Sequence, residues 1–515
     1  MTLAPRRRRT RLALPVLAMV VVLAGGGLGG RPAVADEGDR VSGDRVSGPP
    51  SPARPGDERP NIVVILTDDM RADDLRYLPQ TRRLLAGARF SHAISSHPLC
   101  CPARAMLHTG EYAQNNGVRA NAGVRGGFDG LYHPDATIAR SLHDSGYLTA
   151  LHGKYLNGYE RSDGLQAGWD VWDPLVDGIY AYDDFEFFGG DRYEQDYVTH
   201  RLSERSNATV TAWAGPGAPF YLYVNHTAPH ETVVRDGQGF RQVEPLPEPR
   251  YADVLDQQRS PSFGAPSYGR RGGWPRDLGR RDADPERVQR LFLARIRTLR
   301  SVDDAVGSLV ATLRDTGELD HTYLVFTSDN GFQLGEHTYL TKNLLARESL
   351  SVPLLVAGPK VVRRTVSAPV SLLDLPATFL ELADVRPERP VDGASLLPFL
   401  RGRDAAPWRD TTLVQTGSNG GRGRVAGWRM RGVVTGRYLF GVDVTEPRHV
   451  LLFDHRRDPY EIRNLARSPR YHPVRVALAQ RYRELADCAG VASCNRDFRF
   501  LPAPSGGDSD GIRRP

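Results

Sequence analysis

The sequence NIVVILTDD, residues 61–69, decides the fold of this 515-residue chain. Its first part, Asn61 to Leu66, is short, apolar throughout and rich in β-branched residues. Such a run is typical of a central strand in a parallel sheet that is covered on both faces. The run is followed closely by two carboxylates, Asp68 and Asp69. Because ligands of open α/β sheets gather at the carboxyl ends of the strands, this carboxylate pair marks a candidate site.

A second apolar run, far along the chain, has the same form. Residues Thr322 to Thr327 (TYLVFT) are followed by Ser328, Asp329 and Asn330, so oxygen-bearing side chains again come directly after a strand. Further elements are expected between the two runs, namely strands at 147–151 and 220–225 and an amphipathic helix at 286–313. Strands that alternate with helices predict an α/β sandwich.

Changes in composition divide the rest of the chain. Residues 236–285 are rich in Pro, Gly and Arg with weak periodicity, which indicates a long surface insertion near the rim of the site or a partly disordered segment. From residue 402 a Gly/Arg loop precedes a hairpin at 425–444 and a helix at 474–485. The predicted divisions are a main domain over 60–401, a smaller C-terminal α+β subdomain over 402–500 and a loose tail over 501–515.

The first 35 residues are typical of a secretory signal peptide. They hold a basic region at Arg6–Arg11, an apolar stretch from Leu12 to about Leu23, and an Ala-Val-Ala sequence that ends at Ala35. Pro15 and then glycines interrupt the apolar stretch before it reaches the roughly 20 residues that a membrane span needs. We therefore predict a secreted protein that is cut near Ala35, has no stable membrane span and carries a flexible linker over 36–59.

The charge of the chain does not indicate a nucleic-acid partner. The formal charge is +6, but the first 35 residues carry six Arg and no acid, so the remainder holds 61 basic and 61 acidic residues. A neutral mature chain removes the compositional argument for nucleic-acid binding. With 40% hydrophobic and 25% charged residues, the composition is typical of a globular protein and excludes a fibre, a disulfide-rich miniprotein and a multi-span membrane protein.

Two of the four cysteines need a chemical explanation. Exposed thiols of exported proteins are generally oxidised. Cys488 and Cys494 bracket a short loop and make the easier pair, whereas the adjacent Cys100 and Cys101 bridge each other only with strain. Cys100 begins the string CCPAR. Three roles stay open for it, namely one half of a disulfide, a thiol nucleophile or a modification site.

The string CCPAR, followed by a Thr-Gly at 109–110, resembles the C-x-P-(S/A)-R signature of the type I sulfatases, in which a dedicated enzyme oxidises the first Cys to formylglycine. Three further blocks follow the family's order, namely NIVVILTDDMR, TSDNGFQLGEH and LFDHRRDPYEIRNLA. The strings GKYLN and APH make the chain most similar to the N-acetylglucosamine-6-sulfatase-like branch. Over about residues 60–466, the resemblance implies an alkaline-phosphatase-like α/β sandwich with a large central mixed sheet and makes 60–401 the catalytic domain.

The resemblance also implies a metal site. Asp68, Asp69, Asp329 and Asn330 offer hard oxygen ligands, which suit calcium or magnesium better than zinc. The family favours Ca²⁺, with Mg²⁺ as the less favoured ion, and the modified Cys100 as a further ligand. The formylglycine-generating enzyme is then a partner during maturation.

Catalytic roles follow from the same motifs. The chain has three Lys against 64 Arg, so a retained Lys marks a place that needs a compact ammonium. Lys154 and Lys342 resemble the two active-site lysines that bracket the sulfate, whereas Lys360 fits a solvated surface. Arg104 is expected to fix the hydrated aldehyde, and His230 is expected to protonate the departing alcohol.

One position departs from the family pattern. Many sulfatases have a His two residues after the first active-site Lys, where this chain has Leu156. The leaving-group assignment therefore depends more on His230. The roles of His152 and His226 stay open, and His337 is compatible with substrate contact, helix capping or packing.

The implied function is hydrolysis of sulfate monoesters, on a sulfated sugar such as N-acetylglucosamine-6-sulfate, with aryl sulfates as surrogate substrates. Two alternatives stay open. The first is a phosphonate or phosphate ester hydrolase on the same scaffold. The second is a secreted calcium-dependent glycan-binding protein that has lost catalysis, against which the intact CCPAR string, both lysines and all four metal ligands argue.

Overall fold

The computed structural model describes residues 57–215, 217–236, 239–275, 282–404, 407–419 and 427–505. The predicted signal peptide and residues 36–56 of the predicted linker lie outside these ranges. In the part of the chain that is described, no helix is both long and apolar enough to cross a membrane.

Twenty β-strands occur among the described residues. In chain order they are β1 (Asn61–Thr67), β2 (Ala88–Phe90), β3 (Ala93–Ile94), β4 (Leu148–Gly153), β5 (Val171–Asp177), β6 (Asp184–Phe187), β7 (Arg192–Glu194), β8 (Phe220–Asn225), β9 (Thr232–Asp236), β10 (Gly239–Val243), β11 (Thr322–Ser328), β12 (Gln333–Leu334), β13 (Leu340–Thr341), β14 (Leu354–Ala357), β15 (Arg364–Val366), β16 (Val370–Ser371), β17 (Thr411–Ser418), β18 (Gly427–Thr435), β19 (Tyr438–Asp443) and β20 (Val450–Asp454).

The same residues form eleven α-helices, alongside short 3-10 turns. In chain order they are α1 (Pro79–Leu84), α2 (Cys100–Thr109), α3 (Ala113–Asn116), α4 (Ile138–Asp144), α5 (Val198–Trp213), α6 (Pro285–Asp315), α7 (Arg347–Leu350), α8 (Asp374–Leu382), α9 (Leu397–Leu400), α10 (His472–Leu485) and α11 (Val491–Cys494).

A ten-stranded sheet forms the centre of the molecule, in the order β15-β2-β14-β11-β1-β8-β4-β5-β6-β7. Its middle strands, from β11 to β5, are parallel. Strand β14 runs antiparallel to both β11 and β2, and β6 runs antiparallel to β5, so the sheet is mixed as predicted. The expected strands at 61–66, 322–327, 147–151 and 220–225 are β1, β11, β4 and β8. The ends of β8 are as expected, and those of the other three strands differ by at most two residues.

Strand β1 contributes to a hydrophobic core on each side of the sheet. Ile62, Val64 and Leu66 pack into one cluster, and Val63 and Ile65 pack into the other. All five side chains are buried, which explains why this run is apolar without alternation. Helices α2, α4 and α8 contribute to the first core, and α5 and α6 contribute to the second.

The pairing register aligns the carboxyl ends of the central strands. Thr67 of β1 lies opposite Ser328 of β11, and Leu66 lies opposite Asn225 of β8. Gly153, the last residue of β4, pairs with Asn225 as well. The segments that follow these four strands therefore meet at one edge of the sheet.

The C-terminal part forms a four-stranded antiparallel sheet in the order β17-β18-β19-β20, followed by α10. Its strands β18 and β19 and helix α10 are the hairpin and helix expected from the sequence. Leu413, Val433 and Leu478 pack in one cluster with Ala103 and Met106 of α2. This subdomain therefore supports the helix that carries the CCPAR string.

Most described residues of the segment 236–285 are exposed or half-buried, as expected of a surface segment, but a few positions are buried. Ser262, Ser267 and Trp274 are buried, and the Trp274 ring stacks on Phe453 with centroids 5.4 Å apart. Residues 237–238 and 276–281 of this segment lie outside the described ranges. These buried contacts and two short 3-10 turns anchor the described part of the segment.

Cys488 and Cys494 form a disulfide, as the spacing suggested. Both cysteines of the CCPAR string are free and buried. At Arg59, the last residue of the predicted linker, the guanidinium donates to the carbonyl of Ser145. At the start of the predicted tail, Leu501 packs against the C-terminal core. Residues 506–515 of the predicted tail lie outside the described ranges.

Candidate active site

The four aligned strand ends bring the candidate site residues to one place. Asp68 and Asp69 follow β1, and Asp329 and Asn330 follow β11. Lys154 comes directly after β4, and His230 follows β8 by five residues. All six side chains are buried, with at most 3% exposure.

Cys100 reaches this edge from the first position of α2. Its Sγ lies 3.4 Å from Asp68 Oδ1 and 3.9 Å from Asp69 Oδ1. Burial raises the pKa of the Cys100 thiol, and the neighbouring Asp68 carboxylate raises it further. The adjacent Cys101 points into the core, where burial raises its pKa to about 12. The two cysteines of the string therefore occupy different environments, and only Cys100 faces the carboxylates.

Asp329 connects the strand ends to helix α2. One of its oxygens accepts hydrogen bonds from the backbone N–H groups of Asp69 (3.0 Å) and Asn330 (2.8 Å). The other accepts from Nε of Arg104, one turn along α2, at 2.9 Å. Burial and the nearby Asp68 carboxylate raise the pKa of Asp329 to about 6. Arg104 also donates to Asp68 Oδ2 at 3.3 Å, so it neutralises charge at the centre of the site.

The donor set fits a hard divalent cation. Asp68, Asp69, Cys100 and His230 each offer a ligand atom, and these atoms lie within 4.8 Å of one another. The side-chain carbonyl oxygen of Asn330 is buried and has no hydrogen-bond partner among the described residues, while its amide donates to Asp69 Oδ1 at 2.7 Å. An unsatisfied buried oxygen beside several carboxylates suits calcium or magnesium.

Two ammonium groups flank the carboxylates. Lys154 pairs with Asp68, and Lys342 Nζ lies 2.6 Å from Asp69 Oδ2 and 3.0 Å from Cys100 Sγ. Burial opposes the charged form of both lysines, but the paired carboxylates outweigh it and raise their pKa values. Both lysines therefore stay charged in a buried site, whereas Lys360 is exposed.

His230 adjoins the same carboxylate pair. Its Nδ1 lies 2.6 Å from the backbone carbonyl of Glu231 and donates to it, which leaves Nε2 facing Asp69 Oδ2 at 3.6 Å. Burial, followed by the charge of Lys342, lowers the pKa of His230 to about 4. The Nε2 atom is thus the reactive end of a neutral imidazole.

Sequence reasoning missed Tyr180 and Arg295. The Tyr180 ring stacks on His230 with centroids 4.2 Å apart, and Lys154 Nζ lies 4.2 Å from its centre. Tyr180 belongs to no motif, so only the fold reveals it. Arg295 was detectable, because it interrupts the apolar face of the expected helix at 286–313, and a buried charge there needs a partner.

Arg295 holds the loops after β1 and β8 together. It is buried and donates to the backbone carbonyls of Asp69 (2.5 Å) and Pro229 (3.3 Å). Asp69 has a φ of 71°, a left-handed conformation that costs a non-glycine residue free energy and that surrounding contacts must maintain. Arg295 and Asp329 supply these contacts through the carbonyl and the N–H of Asp69.

The remaining histidines lie outside the carboxylate cluster. His152 is hydrogen-bonded to Asp173 (2.8 Å) and Thr209 (2.9 Å). Burial lowers the pKa of His226 to about 4. His337 is buried and packs 5.3 Å from the Trp274 ring, which supports the packing interpretation for this residue.

Comparison with models of known protein families shows which family the chain belongs to. Residues 60–385 match the family model described as Sulfatase, and residues 335–487 match the model described as N-sulphoglucosamine sulphohydrolase, C-terminal. The chain therefore belongs to the sulfatase family, as the motifs predicted.

Curated relatives are similar over much of the chain. The N-acetylglucosamine-6-sulfatase of Homo sapiens is 32% identical over 389 residues, which cover 70% of this chain and 68% of that protein. A putative extracellular sulfatase Sulf-1 homolog of Caenorhabditis elegans is 30% identical over 393 residues, which cover 70% of this chain and 53% of that protein. The chain thus spans about half the length of this second relative.

Solved structures confirm the predicted fold. A protein in complex with its substrate D-glucosamine-2-N,6-O-disulfate superposes with a TM-score of 0.69 at 22% identity, covering 83% of this chain and 97% of that chain. A phosphonate monoester hydrolase from Silicibacter pomeroyi superposes with a TM-score of 0.61 at 22% identity, covering 83% and 94%. Because a protein with a sulfated-sugar substrate and a phosphonate monoester hydrolase both superpose on this chain, the fold alone does not determine which kind of ester is hydrolysed.

Proposed function

We propose that this chain is a secreted sulfatase that hydrolyses sulfate monoesters. It would use a formylglycine, which is made from Cys100, and a bound calcium ion. The observation that carries the proposal is the position of Cys100 Sγ, which lies 3.4 Å from Asp68 Oδ1 and 3.0 Å from Lys342 Nζ. A residue that is to become a nucleophile therefore adjoins both a carboxylate cluster for a cation and an ammonium group for an anion.

Asp68, Asp69, Asp329, Asn330 and modified residue 100 are the proposed calcium ligands. When bound and formed, the ion would draw negative charge from the sulfuryl group and the hydrated aldehyde would supply the attacking oxygen. The side chains around the two groups would stabilise charge and donate a proton.

Arg104, Lys154 and Lys342 are proposed to stabilise charge. Arg104 lies against Asp68 and Asp329, where it fixes the carboxylates and the first turn of α2. Each ammonium carries three donors, so Lys154 and Lys342 can keep a carboxylate contact and still bind a sulfate oxygen. Such buried, fixed cations stabilise the charge that builds in the transition state.

His230 is the proposed proton donor to the departing alcohol. In this role its Nε2 atom is protonated, and the negative charge of a bound sulfate ester favours this protonated form of the ring. We expect His230→Gln to slow hydrolysis of a sugar sulfate by about 10²-fold or more, because an alkoxide leaves poorly without a proton. Hydrolysis of 4-nitrophenyl sulfate should slow much less, because nitrophenolate leaves without help. Rates for both substrates with the wild type and the variant test this, and equal slowing of both would contradict the role.

The ester that is hydrolysed fastest distinguishes a sulfatase from a phosphonate or phosphate ester hydrolase. We expect purified protein, produced with a formylglycine-generating enzyme, to have a kcat/KM for 4-nitrophenyl sulfate at least about 10²-fold above that for 4-nitrophenyl phosphate. A preference for the phosphate, or for a phenyl phosphonate monoester, would instead support the phosphonate or phosphate ester hydrolase. Absence of turnover of all three by protein with the aldehyde in place would support the glycan-binding alternative.

A sulfated sugar is the proposed natural substrate class. The motif resemblance to N-acetylglucosamine-6-sulfatases and the human relative of that name support this class. Secretion is supported by the sequence of residues 1–35 and by the relative named as a putative extracellular sulfatase. Sulfate release from a panel of sulfated sugars, measured with protein that carries the aldehyde, identifies the preferred one.

A further inference from the structure

A group of cationic and aromatic side chains borders the candidate active site. It consists of Arg119, Arg125, Tyr132, Trp428 and Arg431, and we call it the arginine–aromatic cluster. The Arg119 and Arg431 guanidinium carbons lie 4.7 and 4.5 Å from the centre of the Trp428 ring. The Arg125 guanidinium lies 5.8 Å from the centre of the Tyr132 ring, and Tyr132 is 42% exposed.

Within the described ranges, no buried carboxylate balances the positive charge of this cluster. Among the described residues, no carboxylate pairs with Arg119 or Arg125. Arg431 is 3.9 Å from Asp487, whose side chain is 92% exposed. The Nε atoms of Arg119 and Arg431 are buried and, within the described ranges, have no hydrogen-bond partner. Burial, and then the charge of Arg125, lowers the pKa of Arg119.

Such an arrangement costs free energy that an anion would recover. Like charges that approach one another in a partly buried place repel, and unsatisfied guanidinium donors add a desolvation cost. Arg431 also donates to the carbonyl of Ala486, so it acts as a fixed support beneath Trp428. Arg119 and Arg125 are half-buried and are the two cations that a ligand can reach.

The cluster is joined to the nucleophile by short connections. Ala120, next to Arg119, packs on Leu99, the residue before Cys100. The side chain of Asn121 accepts from the N–H of Cys101 at 3.0 Å. Asn343, next to Lys342, donates to the carbonyl of Gly417 at 2.7 Å, and Gly417 pairs with Trp428 in the C-terminal sheet.

We propose that the arginine–aromatic cluster is a subsite for a second anionic group of a glycan whose sulfate ester occupies the candidate active site. This inference rests on the proposed function and adds a substrate class to it, namely glycans that carry at least one further sulfate or carboxylate. The guanidinium groups of Arg119 and Arg125 bind the second anion, and the exposed Tyr132 ring offers an apolar face for the sugar.

Kinetics with matched substrates test the subsite. The substrates are a glucosamine-6-sulfate monosaccharide and two disaccharides that link this sugar to a uronic acid or to a second sulfated sugar. We expect Arg119→Gln to raise KM for a disaccharide by about 10-fold or more, the effect of losing one charge-assisted hydrogen bond. The kcat/KM for the monosaccharide should change by less than about twofold. The disaccharide more affected identifies the second anion as carboxylate or sulfate.

Arg363→Gln is the matched control, because Arg363 is exposed and has no ion pair among the described residues. It removes the same charge elsewhere and should leave KM unchanged. Equal effects of both variants, or no effect of Arg119→Gln and Arg125→Gln, would overturn the subsite.

A binding measurement separates the subsite from the proposed reaction. Calorimetric titration of the disaccharides into Cys100→Ala protein needs no turnover. We expect the dissociation constant to rise by about 10-fold when Arg119→Gln is added to Cys100→Ala. This result would hold even if the protein had no sulfatase activity, whereas unchanged affinity would overturn the subsite whatever the activity.

Discussion

Replacing Cys100 by alanine is expected to reduce sulfate ester hydrolysis by about 10⁴-fold or more, as removal of a covalent nucleophile does in other enzymes. The loss should fall on kcat, because Lys154 and Lys342 remain to bind the sulfate group of the substrate. Initial rates with 4-nitrophenyl sulfate, measured on protein of unchanged thermal stability, check the expectation.

The neighbouring cysteine offers a matched control. Cys101 is equally buried but packs into the hydrophobic core. We expect Cys101→Ala to keep activity within a few-fold and to lower stability by about 1 kcal/mol, the effect of removing one buried sulfur. Comparable losses of activity in the two variants would indicate that the helix, and not a nucleophile at position 100, was damaged.

The second large effect is expected for Asp329→Ala. This variant removes a proposed calcium ligand and the carboxylate that accepts from Nε of Arg104. An unpaired buried arginine is costly, so we expect the free energy of unfolding to fall by about 3 kcal/mol. Calcium bound per chain should fall well below that of the wild type, and activity should fall by about 10³-fold.

Calcium content, thermal unfolding and activity measured on one preparation test this prediction. Asp320→Ala is a suitable control, because Asp320 is exposed and lies just before β11, the strand that Asp329 follows. Asp329→Ala protein with the calcium content and activity of the wild type would exclude this residue from the metal site.

The core of the site was predictable because it follows from strand ends. The continuous apolar runs before Asp68 and Asp329 marked buried parallel strands, and parallel strands bring their carboxyl ends to the same edge. The scarcity of lysine, together with the motif resemblance, singled out Lys154 and Lys342. Each of these signals is in the sequence itself, so no knowledge of the tertiary structure was needed.

The surroundings of the site depended on tertiary contacts that leave no local pattern. Tyr180 reaches His230 from a segment without a motif, and Trp428 reaches Arg119 from the C-terminal sheet. Residues 236–285 were expected to form a surface insertion or a partly disordered segment because they are rich in Pro, Gly and Arg with weak periodicity, yet Trp274 is buried against Phe453. A single large side chain can anchor a segment whose average composition predicts exposure.

Mass spectrometry of the peptide that carries residue 100, combined with activity on the same sample, tests the central claim most directly. The account predicts that preparations made with a formylglycine-generating enzyme contain the aldehyde or its hydrate at residue 100. Their specific activity should rise in proportion to the fraction converted. A fully active preparation in which residue 100 is still an intact cysteine thiol would contradict the account.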